Sequence, residues 1–139
     1  ESLPKLEQII DGPTIIGMQK AVRGIGVSHE VANYAARLAR ATRPGSPEAP
    51  DFVNQWVRWG CGPRAGQGLL LAAKSNAGLS GRSDATIEDV QKFVLPVLRH
   101  RMGLNFAAVS EGQSTDDIVD MLVKHVPEKA SAAASQKVA

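Results

Sequence analysis

From Gly12 onward, apolar residues return every three or four positions with polar residues between them, a spacing that predicts helices. The first helix starts at Asp11 or Gly12 with Pro13 in its opening position. It carries Ile15, Met18 and Val22 on one face and is broken by Gly24 and Gly26. Ser28 caps the second, which places Val31, Tyr34, Ala35 and Leu38 at i, i+3, i+4 and i+7, with Arg37 and Arg40 on the opposite face. This helix stops before Pro44, because the run from Arg43 to Pro50 is too rich in proline and glycine for a helix to cross.

A third helix is expected from Pro63 to about Leu79, where Gly66, Gly68, Ala72, Ala73, Ala77 and Gly78 alternate with Leu69, Leu70 and Leu71. Interior glycines each cost about 1 kcal/mol relative to alanine, so this small-residue side points to a close neighbour, either another helix or another domain. Gly78 or Gly81 can end the helix in the left-handed conformation. The fourth begins at Thr86 and buries Ile87, Val90, Val94 and Val97 or Leu98, with Pro96 kinking it or ending its first part. The fifth starts near Ser114, with Asp117 at capping-box distance, presents Ile118, Met121, Leu122 and His125, and stops at Pro127. No stretch shows a convincing period of two. The expected fold is therefore all-α or mostly α, a small bundle of about five helices over residues 1–127, followed by a flexible Ala-, Ser- and Lys-rich tail over residues 128–139.

The stretch Asp51–Trp59 holds Phe52, Val53, Trp56, Val57 and Trp59, and with them half of the aromatic rings of the chain. Anchoring in the core is expected, and exposure to a partner domain is the alternative. A chain of 139 residues, 43% hydrophobic but only 4% aromatic, is long enough for one core built from small and aliphatic side chains. The formal net charge of +2 does not make the strongly basic face of a nucleic-acid binder. The single cysteine, Cys61, excludes an internal disulfide. No apolar run approaches a membrane span and the first residues are not a signal peptide, so the chain reads as soluble and cytoplasmic, with no membrane partner.

Candidate chemistry concentrates in Gly60-Cys61-Gly62-Pro63-Arg64-Ala65, which reads as a loop delivering an arginine to the first turn of a helix. Gly62 is a permissive cap and Pro63 suits the first helical position. Arg64 then lies where unpaired N–H groups already favour negative charge, so a phosphate is the natural guest. Around this segment lie Ala41-Thr42-Arg43-Pro44, Gly81-Arg82, Thr86-Ile87-Glu88-Asp89 and Leu98-Arg99-His100-Arg101. Their order and spacing resemble the C-terminal lid of the MoxR family of AAA+ ATPases over roughly residues 13–126. In that family a Gly-x-Ser-Pro-Arg-Ala segment carries the sensor-2 arginine and the lid ends near a Leu-Arg-His-Arg run; here Gly62 stands in the place of the serine.

The resemblance implies an AAA+ lid in which Arg64 acts as the catalytic sensor 2 and Gly62, Pro63 and Arg64 contact the nucleotide. The parent protein would use ATP and Mg²⁺, and this chain alone would bind neither. The implied partners are the parent's own P-loop domain, neighbouring subunits of a hexameric ring, and proteins with von Willebrand factor A domains, in the role of a chaperone-like maturation factor. The chain begins at Glu1 and lacks Gly-x-x-x-x-Gly-Lys-Ser/Thr, so it is expected to be an inactive fragment of a larger ATPase.

Other polar candidates are weaker. Glu88 and Asp89 form an acidic pair, but Thr86 with Asp89 three residues later is a helix-capping pair, and no metal site is expected there. Arg99, His100 and Arg101 follow a helix end, where cations are favoured structurally, and Arg43 is similar. His29, His100 and His125 are too scattered for a metal site. Two other functions compete with the lid. One is a non-catalytic helical interaction module using Trp56 and Trp59; the other is a nucleic-acid binder using Arg37, Arg40, Arg99 and Arg101, which the small net charge and the lack of a recognition-helix pattern oppose.

Overall fold

A computed structural model describes residues 7–129. The five expected helices are α1 (Gly12–Gly24), α2 (His29–Ala41), α4 (Pro63–Leu79), α5 (Ile87–Leu98) and α7 (Thr115–His125). Two short helices join them, α3 (Asp51–Trp56) and α6 (Phe106–Ser110), so the expectation of about five becomes seven among the described residues. Strands of two or three residues also form: β1 (Gly26–Val27) pairs in parallel with β3 (Asp84–Ala85), and β2 (Val57–Trp59) pairs antiparallel with β4 (Gly103–Leu104). Elements this short carry too few residues to display a period, and non-local pairing alone creates them.

Helix starts follow their local chemistry. Asp11 accepts from the N–H of Thr14 and Ser28 from that of Val31, and complete capping boxes open α5 (Thr86 with Asp89) and α7 (Ser114 with Asp117). Gly81, at φ +70, follows the C-cap of α4, as glycine does where the chain turns left-handed. Helix α5 runs through Pro96 and ends two residues later.

Helix α4 is the centre of the bundle and packs against α1, α2 and α5. Its buried face is Ala65, Leu69, Ala73 and Ala77, one residue per turn. Small residues let the neighbours close in: a Cβ on Gly68 would lie 3.3 Å from Val97 and one on Gly78 3.6 Å from Ile25. Around this axis α2 buries Val31, Tyr34, Ala35 and Leu38, α5 buries Val90, Val94 and Leu98, and α7 buries Ile118, Val119 and Leu122. Burial pushes the Tyr34 hydroxyl pKa up, opposed by the Gln91 amide that donates to it.

Helix α1 differs. It buries no residue, and Ile15, Ile16 and Met18 are all partly or largely exposed. The apolar face that the spacing predicted exists, but it lies along the edge of α4, where Ile15, Met18 and Val22 border a groove with Leu71. The ring-rich segment divides. Val53 and Val57 are buried and Phe52 and Trp56 pack on the core, whereas Trp59 remains 55% exposed above Gly103, where a Cβ would collide with its indole. The tail expected after Pro127 lies outside the described residues beyond Lys129. Pro127 and Glu128 themselves are tied to α2 through their carbonyls, which accept from Arg37 Nη2 at 2.9 and 2.7 Å.

Candidate functional site

Helix α2 ends at Ala41, and the two residues that follow build the support for the candidate loop. Thr42, fully buried, donates its hydroxyl to the carbonyl of Ala39 at 2.7 Å and accepts the N–H of Cys61 at 2.8 Å. Arg43 Nε donates to the carbonyl of Cys61 at 2.8 Å. The chain leaves β2 through Gly60, whose backbone presses on Thr42 so closely that a Cβ would collide with the Thr42 carbonyl. Cys61 is buried, and desolvation pushes its thiol pKa up, with the Thr42 hydroxyl and the charges of Arg101 and Arg43 opposing the shift. Burial and the upward shift both work against thiolate chemistry at this position.

Gly62 then caps α4 in extended conformation (φ −79, ψ 178) without a side-chain hydrogen bond, and Pro63 takes the first helical position. Arg64 follows, exposed, and it forms no ion pair among the described residues. Its guanidinium is thus free to meet an anion beside an uncapped helix N-terminus, where the helix dipole adds to the attraction. Gly62, Pro63 and Arg64 line one open cleft together with Ala65, Gln67 and Arg101.

Arg101 is the member that sequence reasoning did not single out. It is half-buried, and its Nε is shielded from solvent with no hydrogen-bond partner among the described residues. The Leu98-Arg99-His100-Arg101 run marked a basic cluster, but spacing alone does not say which cation turns to the loop. The fold separates the three: Arg99 pairs with Asp116, its Nε 3.1 Å from Oδ1, His100 is exposed, and Arg101 faces the cleft. The other arginines of the competing nucleic-acid reading are also engaged, Arg40 with Glu48 at 2.8 Å and Arg37 with the Pro127 and Glu128 carbonyls.

A guanidinium and unpaired N–H groups suit phosphate oxygens. They do not suit Mg²⁺, and among the described residues no three His, Cys, Asp or Glu side chains gather as a cation site. Asp89 is committed to the α5 capping box. Among the described residues no helix is long and apolar enough to cross a membrane.

The comparisons with known proteins agree with this geometry. The family model of the AAA lid domain matches residues 52–122. Chaperone MoxR1 of Mycobacterium tuberculosis is 29% identical over 123 residues, covering 88% of this chain and 33% of that protein. The crystal structure of a candidate ATPase from Cytophaga hutchinsonii superposes with a TM-score of 0.73 at 26% identity, covering 78% of this chain and 33% of that one. The chain therefore spans about a third of the length of these relatives. On these matches the chain belongs to the AAA lid domain family and is a lid of the MoxR type.

Proposed function

We propose that this lid supplies the sensor-2 arginine of a MoxR-like AAA+ ATPase, and that Arg64 is that residue. The observation that supports it is a solvent-facing guanidinium that has no ion pair among the described residues, on the first turn of a helix whose N-terminus none of their side chains caps. Nucleotide and Mg²⁺ would be held mainly by a P-loop domain that this chain does not contain. Arg64 would bind a β- or γ-phosphate oxygen and stabilise the charge that develops on it during transfer. Because the same side chain belongs to the lid, the presence of that phosphate would set the lid's orientation and transmit nucleotide state to the ring.

The exposed apolar side of α1 gives such a lid a surface to bury against the ATPase domains around it. By analogy with the relative named as a chaperone, the parent would be a chaperone-like maturation factor; the family resemblance adds to this reading a cytoplasmic hexameric ring acting beside partners with von Willebrand factor A domains. Arg64→Ala in the full-length ATPase carrying this lid tests the reading. ATP turnover should fall about a hundredfold or more, the scale of losing a phosphate-stabilising cation, while the melting temperature stays within a degree or so. Arg99→Ala, whose side chain points to Asp116, should leave turnover intact. Wild-type turnover in a folded Arg64→Ala protein removes the assignment.

A further inference from the structure

Both backbone polar groups of Cys61, three residues before Arg64, are held by consecutive residues at the end of α2: its N–H by the Thr42 hydroxyl and its carbonyl by Arg43 Nε. Thr42 is locked in turn. Its hydroxyl uses its donor on the Ala39 carbonyl and an acceptor position on Cys61, and the residue is inaccessible to solvent. Gly60 on the other side lies so close to the Thr42 carbonyl that no side chain fits between them. Between this fastened point and Arg64 stand only Gly62 and Pro63, and the ring of Pro63 removes one of the few remaining torsions.

We propose that Thr42 is a positioning residue for Arg64: its buried hydroxyl ties the loop to the end of α2, so that the guanidinium leaves the first turn of α4 in one direction. This rests on the reading of Arg64 as the phosphate-contacting arginine. The rest of α4 is anchored independently by Leu69, Ala73 and Ala77, so losing the clamp loosens the first turn without unfolding the helix. That looseness matters for chemistry more than for stability, because displacement of a charge-stabilising group by about 1 Å can cost about a hundredfold in rate.

A double-mutant cycle on ATP turnover in the full-length ATPase carrying this lid separates positioning from general support. Thr42→Val keeps the β-branched shape and removes the hydroxyl; kcat should fall about tenfold or more, within the range expected for misplacement. Thr42→Ser, which restores the hydroxyl, should recover most of it. In the Arg64→Ala background Thr42→Val should cost nothing further, since the group it aims is gone. Leu122→Ala, buried in α7 away from the loop, supplies the comparison for an equal loss of melting temperature and should leave kcat unchanged. If Thr42→Val does not fold, Arg43→Met removes the adjacent contact to Cys61 and enters the same cycle. Equal losses from Thr42→Val in both backgrounds, or no loss in the Arg64 protein, overturn the positioning role alone. Wild-type turnover in Arg64→Ala overturns the sensor reading beneath it.

Discussion

Arg82 grips Asp89 with two N–H groups, Nη1 to Oδ2 at 2.7 Å and Nη2 to Oδ1 at 2.6 Å, joining the turn after α4 to the first turn of α5. Asp89 is buried and also accepts from Asn76 Nδ2 at 2.6 Å and from the N–H of Thr86 at 2.8 Å. One carboxylate thereby serves a capping box, an ion pair and a contact to the central helix, and the Arg82 hydrogen bonds hold it well below the usual carboxylate range.

Because Asp89 titrates lower in the folded protein than its ordinary value of 3.8, its contribution to stability is present above about pH 4 and is lost as pH falls further, toward the folded value. Asp89→Asn should cost about 2 kcal/mol at neutral pH, the scale of charge-assisted hydrogen bonds, and should flatten the decline of stability below pH 4. Urea unfolding between pH 7 and about pH 2.5 checks both effects. An acid limb as steep in the variant as in the parent would contradict the role given to this carboxylate.

Two glycines should respond to alanine with opposite signs. A Cβ on Gly17 in α1 meets nothing within 4 Å, so Gly17→Ala should stabilise by about 0.5–1 kcal/mol through helix propensity. Gly60→Ala forces a methyl against the Thr42 carbonyl and should destabilise by about 1–3 kcal/mol. Thermal melts of the two variants measure the contrast.

The α7 capping box predicts a local effect. Ser114 Oγ accepts from the Asp117 N–H at 3.2 Å, and Asp117 Oδ2 accepts from the Ser114 N–H at 2.9 Å. Ser114→Ala should cost about 1 kcal/mol. Amide exchange should accelerate in the first turn of α7 before it does at Leu122, whereas uniform acceleration across α2, α4 and α5 would refute a local cap.

The chain by itself should hydrolyse no ATP and bind it no more tightly than about millimolar, since one arginine and one helix terminus offer few of the contacts that a nucleotide needs. Calorimetric titration with MgATP reads this directly, and a micromolar Kd for this chain would be incompatible with it.

Five helices were legible from residue spacing because their information is local: a cap such as Ser28 or Thr86, a periodic stripe such as Val31, Tyr34, Ala35 and Leu38, and a stop such as Gly81 lie within one segment. The arginine loop was legible for the same reason, since Gly62, Pro63 and Arg64 are adjacent. Helices α3 and α6 and the four strands were not, because each is shorter than the window in which a period can be recognised.

Contacts between distant segments were set by packing. The stripe Ile15, Met18, Val22 announced an apolar face, but only the arrangement of the bundle left it open, since α4 turns its buried face to α2 and α5 instead. Thr42 stood in the sequence only as part of the Ala41-Thr42-Arg43-Pro44 segment, with nothing to mark its hydroxyl. Its hydroxyl matters because α2 and the Cys61 loop, 19 positions apart, meet with a buried N–H that needs an acceptor. The choice between Arg99 and Arg101 was likewise made by the fold: the two share a charge and a sequence context, but Arg99 pairs with Asp116 while Arg101 lines the cleft.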